Sequence, residues 1–440
     1  MLGRAEAALV AREPGLPGLG LVLDDERFGE RLTELLPDEN VRAARSVYLR
    51  YKPQTSCLVA YRVQCRSGEL DVHAVARARD ASDKLDKARA RARRSGSGGP
   101  RRLFVLDDSA VVVAVFPEDK ELRVLARLAT AGSRRGVLRR VLGPAYRESE
   151  LVRLRYKPER RWVGRLSTDE GAVAVVKAYA PASFEAALRG SNAWRDQAPR
   201  RVPQVLGSSR EHGLVVLEWI AGQPLAEGLL RGEAGAPEVA VTGEELACVH
   251  GQSAAGLVRR TPLDQADHAL AVAREIAFVL PGLSARAERL AGEISNRLLG
   301  RAEGMAPVHG DFNAGQVVLM DDRAALIDFD EAAVAEPAAD LGSFAADLER
   351  HACTGGLASA RVQELSAALL EGYARRAALP PDTVITLYTA AALFSLAPHV
   401  FRTRDPLWPQ RAEVMLDRVD ALLHRRSARN VPGTPAEQIA

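Results

Sequence analysis

The chain has 440 residues, enough for two or three domains, and its 47% apolar and 27% charged residues fit an ordinary globular protein. A net charge of +3, from 60 basic against 57 acidic side chains, gives no electrostatic footprint for nucleic acid. Apolar runs such as AVVVAVF (110–116) are too short to span a bilayer, and MLGRAEAALVAREPG lacks the apolar core of a secretory leader, so no membrane partner is expected.

Two stretches repeat. VYLRYKPQTSCLVAYRV (47–63) and VRLRYKPERRWVGRLST (152–168) share LRYKP. Around each, β-branched runs predict two strands joined by a Pro-containing turn, then a third strand, LDVHAVARA (70–78) or GAVAVVKAYA (171–180). A helix follows in each copy, ASDKLDKARARAR (81–93) and SFEAALRGSNAWRD (183–196). In the second, Ser183 is the expected N-cap and Glu185 an acid of the first turn. Each copy closes on a hairpin, RRLFVLDDSAVVVAVF (101–116) and PQVLGSSREHGLVVLEWI (203–220). The basic run Lys87–Arg102 reads as an exposed helix end entering a Ser/Gly loop, and 123–143 as a helical bridge between copies. Beyond residue 225 the pattern turns to long Ala/Leu/Arg helices, including the aromatic LYTAAALFSLAPHVF, expected as core. The polar, Pro-containing tail 427–440 is expected to be disordered.

Among the helices sits PVHGDFNAGQVVL (307–319), followed by LIDFDE. Transfer of a γ-phosphoryl group needs a carboxylate facing the attacking hydroxyl and oxygen ligands for a divalent metal. It also needs a Lys on an inner phosphate and a backbone edge for the purine. Candidates occur in a consistent order. Lys177 ends the strand run AVAVVK, a place where a Lys can reach phosphate or simply be solvated. LEWIAGQPL (217–225) breaks a strand into a Gly/Pro turn that can face a purine or merely connect two regions. Asp311 and Asp328 lie seventeen residues apart, around a short hairpin that brings their carboxylates together. A structural turn with solvated acids does not account for His309, Asp311, Gln316, Asp328 and Asp330 in this order.

These pieces, with LACVH (246–250) and EPAADL, resemble the aminoglycoside phosphotransferase group and its choline-kinase and sugar-kinase relatives, over roughly residues 150–400. The resemblance implies an α+β, protein-kinase-like two-lobed fold. A small antiparallel β lobe (146–222) and a helical lobe with the catalytic loop (223–426) would follow a degenerate duplicate of the small lobe (1–145). It implies ATP and Mg2+ as cofactors. Asp311 would be the catalytic carboxylate, grouped with His309, which with Asp340 braces the loop. Lys177 would bind phosphate, and the backbone of Glu218 and Ile220 would take adenine. Asp328, with Asp330 nearby, would hold metal, and His250 would pack under the lobe. Gln316 stands where the family usually has Asn. It carries the same amide oxygen on a longer arm, as in bacterial maltokinases, whose inner His is replaced here by Asn313.

Three features depart from the family. The Glu that normally pairs with the strand Lys has only Glu185, eight residues on, as its candidate, with Asp196 the one further acid. No G-x-G-x-x-G is present; in the turn YKPERRW (156–162), Arg160 and Arg161 either meet phosphate or are solvated. The first LRYKP unit lacks a strand Lys and is expected to pack on the active lobe, gate its cleft or dimerise.

The leading expectation is an ATP/Mg-dependent O-phosphotransferase acting on a small-molecule hydroxyl: a sugar, an aminoglycoside or a related metabolite. The alternatives are a Ser/Thr kinase for a precursor peptide and a pseudokinase scaffold. Four cysteines, none spaced C-x-x-C, suggest reduced thiols and a cytoplasmic protein.

Overall fold

The computed structural model describes residues 2–424 apart from 96–101, 145, 147–149, 170, 195–201, 254–255, 302–303 and 322. Asp196 and the tail 427–440 lie outside the described residues. Three helices that the sequence pattern did not announce open the chain: α1 (Arg4–Arg12), α2 (Leu19–Leu23) and α3 (Asp25–Leu35). The Asp24 carboxylate caps α3, accepting the N–H groups of Glu26 and Arg27, each at 3.2 Å.

The first β unit contains β1 (Ala43–Lys52), β2 (Ser56–Cys65), β3 (Gly68–Arg77), α4 (Ser82–Ser95), β4 (Leu103–Leu106) and β5 (Val111–Val115). Helices α5 (Leu125–Leu128) and α6 (Ala131–Leu142) bridge to the second. That unit contains β6 (Glu150–Lys157), β7 (Arg161–Thr168), β8 (Gly171–Tyr179), α7 (Pro181–Asn192), β9 (Val205–Ser209) and β10 (Leu214–Glu218). The sheets share one antiparallel order, β1-β2-β3-β5-β4 and β6-β7-β8-β10-β9. Helix α7 starts at Pro181, two residues before the expected cap Ser183. Pro at the first helical position has its φ preset and no N–H to satisfy.

The duplication extends to single bonds. The residue after LRYKP is left-handed in both copies, Gln54 at φ 57° and Glu159 at φ 59°. Each donates its N–H at 2.8 Å to a buried acid, Glu13 in the first unit and Asp119 in the second. The Tyr156 hydroxyl donates to the same Asp119 at 2.8 Å. Burial and the Glu13 charge push the Tyr51 hydroxyl well above its ordinary value. LRYKP is therefore a turn-building motif: Pro stiffens the corner, and a distant buried carboxylate gathers the turn amide.

The helical lobe follows. It has β11 (Gln223–Pro224), α8 (Leu225–Arg231), α9 (Ala236–His250), β12 (Val258–Arg259), α10 (Pro262–Val279) and α11 (Ser284–Leu299). Next come β13 (Ala306–Val308), β14 (Val317–Met320), β15 (Arg323–Leu326), β16 (Ala333–Ala335) and α12 (Ala338–Cys353). The last helices are α13 (Ser359–Ala374), α14 (Asp382–Leu396), α15 (His399–Arg402) and α16 (Trp408–His424). The stretch Asp382–Arg402 is long and apolar enough to cross a membrane, yet 67% of its apolar window is buried inside the fold, the expected core helix.

The N-terminal unit packs on both neighbours. Tyr51 meets the rings of Phe278 and Phe401 at 5.9 and 6.4 Å, Arg404 donates to the Leu23 carbonyl at 2.9 Å, and Trp408 donates to Glu6 at 2.9 Å. On the sheet side Arg50 pairs with Glu159 at 2.8 Å. One apolar core runs from α1–α3 and the first sheet into the helical lobe.

Asp119 also accepts the N–H groups of Glu121 and Leu122 at 2.9 and 3.0 Å, so four donors converge on one buried carboxylate. Asp119→Ala is expected to lower stability by roughly 3 kcal/mol in urea denaturation. An unchanged midpoint would show that this carboxylate does not hold the second turn.

Candidate active site

The catalytic-loop candidate hangs from one buried acid. Asp340, in the first turn of α12, is 1% exposed. It accepts the N–H groups of His309 at 2.6 Å and Gly310 at 2.9 Å, and His250 Nε2 lies 3.0 Å from it. A carboxylate only accepts, so His250 Nε2 donates and its Nδ1 takes the Tyr373 hydroxyl at 3.0 Å. Burial alone would raise the Asp340 carboxyl. The hydrogen bond and attraction of His250, the attraction of His309 and the Gly310 N–H outweigh burial and hold it below the usual carboxylate range.

Gly310 sits at φ 83°, and a Cβ there would lie 2.1 Å from the Glu331 carbonyl. Only glycine fits between His309 and Asp311. The His309 ring is wholly buried between Phe312 and Phe329, with Nε2 2.8 Å from the Ile327 carbonyl. His309, grouped with Asp311 in the sequence reading, therefore does not face the cleft. It ties the loop to the strand that delivers Asp328. Asp311 itself is exposed. Asn313 shapes the turn, accepting from the Gly315 N–H at 2.9 Å and donating to the Asp311 carbonyl at 3.0 Å. The Gln316 carbonyl accepts the Ile327 N–H at 2.9 Å, which ties the end of the loop to the residue before Asp328.

Asp328 is left-handed at φ 69°, a conformation costing a non-glycine residue about 1 kcal/mol that tends to persist at functional sites. It faces two cations of the second sheet. Lys177, 5% exposed, bonds Asp328 and reaches Asp330 at 3.0 Å. Arg161 Nη1 lies 2.9 and 3.2 Å from the Asp328 oxygens and also bonds Asp330, while the Tyr179 hydroxyl donates to Asp330 at 2.7 Å. Burial would raise Asp328, but Lys177 and Arg161 overcome it and hold the carboxyl far below its ordinary range.

This cluster corrects two expectations. The acids on Lys177 are Asp328 and Asp330; Glu185 instead pairs with Arg210 at 3.0 Å on the exposed side of α7. Arg160 is exposed, and Arg161 reaches the acids, because its register opposite Tyr179 puts it on the face that carries Lys177.

The structure also places a residue that sequence reasoning passed over. Lys157, the Lys of the second LRYKP, stands near Asp311; burial and Arg155, Arg161 and Arg160 push its ammonium down to about 8, against the pull of Asp311. Its presence in both copies, one without a catalytic loop, offered no signal that set it apart. Asp311 is exposed at the surface yet has protein packed around it. That partial burial raises its carboxyl; His309 and Lys157 oppose the shift, Asp328 and Glu331 add to it, and the net is upward.

At the adenine-edge candidate, Glu218 ends β10 and its N–H is taken by the Gln204 carbonyl at 2.8 Å. Ile220 follows, half-buried. A Cβ on Gly222 would meet the Leu319 carbonyl at 2.1 Å, so glycine lets Gln223 pair with Leu319 on the catalytic hairpin. Among the described residues no three His, Cys, Asp or Glu side chains cluster for a metal. The Asp328 and Asp330 carboxylates share Lys177 and Arg161, and carboxylate oxygens are hard donors of the kind magnesium takes.

The profile of the Phosphotransferase enzyme family matches residues 90–379. Among solved structures, a choline/ethanolamine kinase family protein from Mesorhizobium loti is 20% identical, covering 64% of this chain and 90% of its own, at a TM-score of 0.47. The aminoglycoside phosphotransferase APH(3'')-Id of Streptomyces rimosus is 17% identical over 56% of this chain and 92% of its own, at 0.42. Spectinomycin phosphotransferase APH(9)-Ia, in complex with ADP and spectinomycin, is 12% identical over 67% and 98%, at 0.48. No curated protein matched the sequence.

Because Asp340 is held below the ordinary carboxylate value of about 4, its contribution is complete above that value and lost as pH falls through the folded one. Asp340→Asn is expected to lower unfolding free energy by roughly 3 kcal/mol at neutral pH. Urea titrations should show the gap from wild type closing below about pH 4. A gap that does not change with pH would remove Asp340 as the loop's anchor.

Proposed function

From a chain that belongs to the Phosphotransferase enzyme family, we propose that the Asp311 cleft moves the γ-phosphoryl group of ATP onto a hydroxyl of a small molecule. The chain is an ATP-dependent phosphotransferase, and Asp311 is the residue proposed to touch the reacting hydroxyl. The observation that carries this reading is an exposed carboxylate on a rigid loop, beside a second acid already facing two cations.

Asp311 orients the acceptor hydroxyl and takes its proton as the acceptor oxygen bonds to the γ-phosphorus. The bond to the β,γ-bridging oxygen breaks and ADP leaves. The upward shift of Asp311 makes it a better base than an ordinary carboxylate. Lys177 and Arg161, which hold the acids here, are placed to turn onto phosphates, and the backbone at Glu218 and Ile220 takes adenine. Asp328, Asp330 and Gln316 would hold magnesium, which when bound neutralises phosphate charge. The family match favours an enzyme over a scaffold.

The surroundings of Asp311 favour an uncharged or anionic hydroxyl compound, such as a sugar, over a polycationic aminoglycoside. Lys157 stands near it among Arg155, Arg160 and Arg161. Lys157→Glu should shift kcat/KM toward cationic acceptors in a panel of sugars and aminoglycosides; an unmoved ranking removes Lys157 from acceptor choice. All four cysteines are free, which supports a reducing, cytoplasmic setting.

Asp311→Asn should cut kcat by about 10²–10⁴ with Tm unaltered. Activity needs the ionised form of a carboxyl shifted upward, so the acid limb of kcat/KM in wild type should fall above about pH 4. A variant with wild-type kcat would overturn the assignment.

A further inference from the structure

The N-terminal unit retains the face that the second unit turns toward nucleotide. Tyr51 opposes Cys57, and Cys57 opposes Ala76; in the second sheet Tyr156 opposes Trp162, and Trp162 opposes Ala178. With the copies aligned on these pairs, Val75 stands where Lys177 does, and Arg77 where Tyr179 does. Helix α4 packs at this face, with Ala92 against Leu103 and Ala114.

A cavity of about 410 Å³ opens there. Six cationic side chains line it: Arg77, Lys84, Lys87, Arg91, Lys120 and Arg123. Among the described residues two acids, Glu121 and Glu159, share the lining. Lys84 and Lys87 have no ion-pair partner among the described residues. His73 also lines the cavity. It is 3% exposed, and its Nδ1 has no hydrogen-bond partner among the described residues. Burial, against the pull of Asp119 and Glu159, lowers the ring below its ordinary value and favours the neutral form. A buried ring nitrogen without a partner is uncommon, because losing water without a replacement costs about 1–3 kcal/mol.

We propose that this cavity is a second ligand site, which binds a phosphate-bearing small molecule. Phosphate oxygens match the Arg and Lys donors and complete His73 Nδ1. The volume falls within the range of small-molecule sites. The site is also wired to the cleft. Glu159, on the turn that leads to Arg161, is held by Arg50 at 2.8 Å and Lys120 at 3.3 Å. A phosphate that draws Lys120 away removes one of the two cations on Glu159, leaving Arg50 and the Asp119 carboxylate to hold the turn that leads to Arg161.

The test is calorimetric titration of the full chain without magnesium, using pyrophosphate and ribose 5-phosphate as probes. Lys87→Glu with Arg123→Glu changes two exposed side chains, and Lys177→Met reports on the catalytic cleft. The expected result is an affinity at least about tenfold weaker in the double variant and unaltered in Lys177→Met. Preference for pyrophosphate would assign the site to a nucleoside diphosphate, and preference for ribose 5-phosphate to a phosphorylated sugar; either supports it. Equal affinity in wild type and double variant, no binding of either probe, or loss only in Lys177→Met would overturn it. Should the double variant fail to fold, the His73 ring resonance of wild type decides: a shift on ligand addition supports the site, and a fixed resonance refutes it.

Discussion

Two carboxylates brought together away from bulk water must be neutralised, and Asp328 and Asp330 meet that demand across the boundary between sheet and helical lobe. Their partners, Lys177 and Arg161, come from neighbouring strands of the second sheet. Isolated buried charge is far more costly than a paired one, so this cluster fixes how the sheet sits on the catalytic hairpin. It also offsets the left-handed backbone of Asp328. An incoming nucleotide adds phosphate charge and magnesium at once. In the proposed reaction Lys177 and Arg161 would turn to phosphate and the acids would hold the metal, so that the charges would balance in both states.

The loop beneath this cluster is rigid for reasons that lie elsewhere in the chain. Asp340 collects two loop amides and His250, Gly310 lets the backbone pass the Glu331 carbonyl, and His309 locks the loop to Ile327. None of these groups needs to touch substrate. Their effect is to hold Asp311 exposed on a fixed loop. Precise placement of such a group supplies most of what phosphoryl transfer asks of a protein.

Much of this was legible in the amino-acid order. The paired LRYKP segments, their strand–helix–hairpin succession and the HGD-x4-Q and DFD motifs all lie where local pattern put them. The misreadings share a cause: local pattern does not say which way a side chain points after an irregular residue. The left-handed turn at Glu159 decides that Arg161 rather than Arg160 faces the acids. Glu185 lies on the exposed side of α7, paired with Arg210, which its spacing from Lys177 did not reveal. Long-range partners were invisible as well. Glu13 and Asp119 lie far from the turns they organise, and Lys157 was hidden by its duplication in a unit without a catalytic loop.

The N-terminal unit, whose role the sequence left open, shares a core with the helical lobe and holds the turn before Arg161 through Glu159. Its duplicated sheet thus braces the second. The most direct test of the catalytic reading is mass-spectrometric detection of phosphate transferred from γ-labelled ATP, with magnesium and a panel of hydroxylated metabolites, in wild type and Asp328→Asn. Transfer by wild type that disappears in a folded Asp328→Asn is the predicted result. ATP binding with no acceptor modified by wild type, or full transfer by Asp328→Asn, would contradict it.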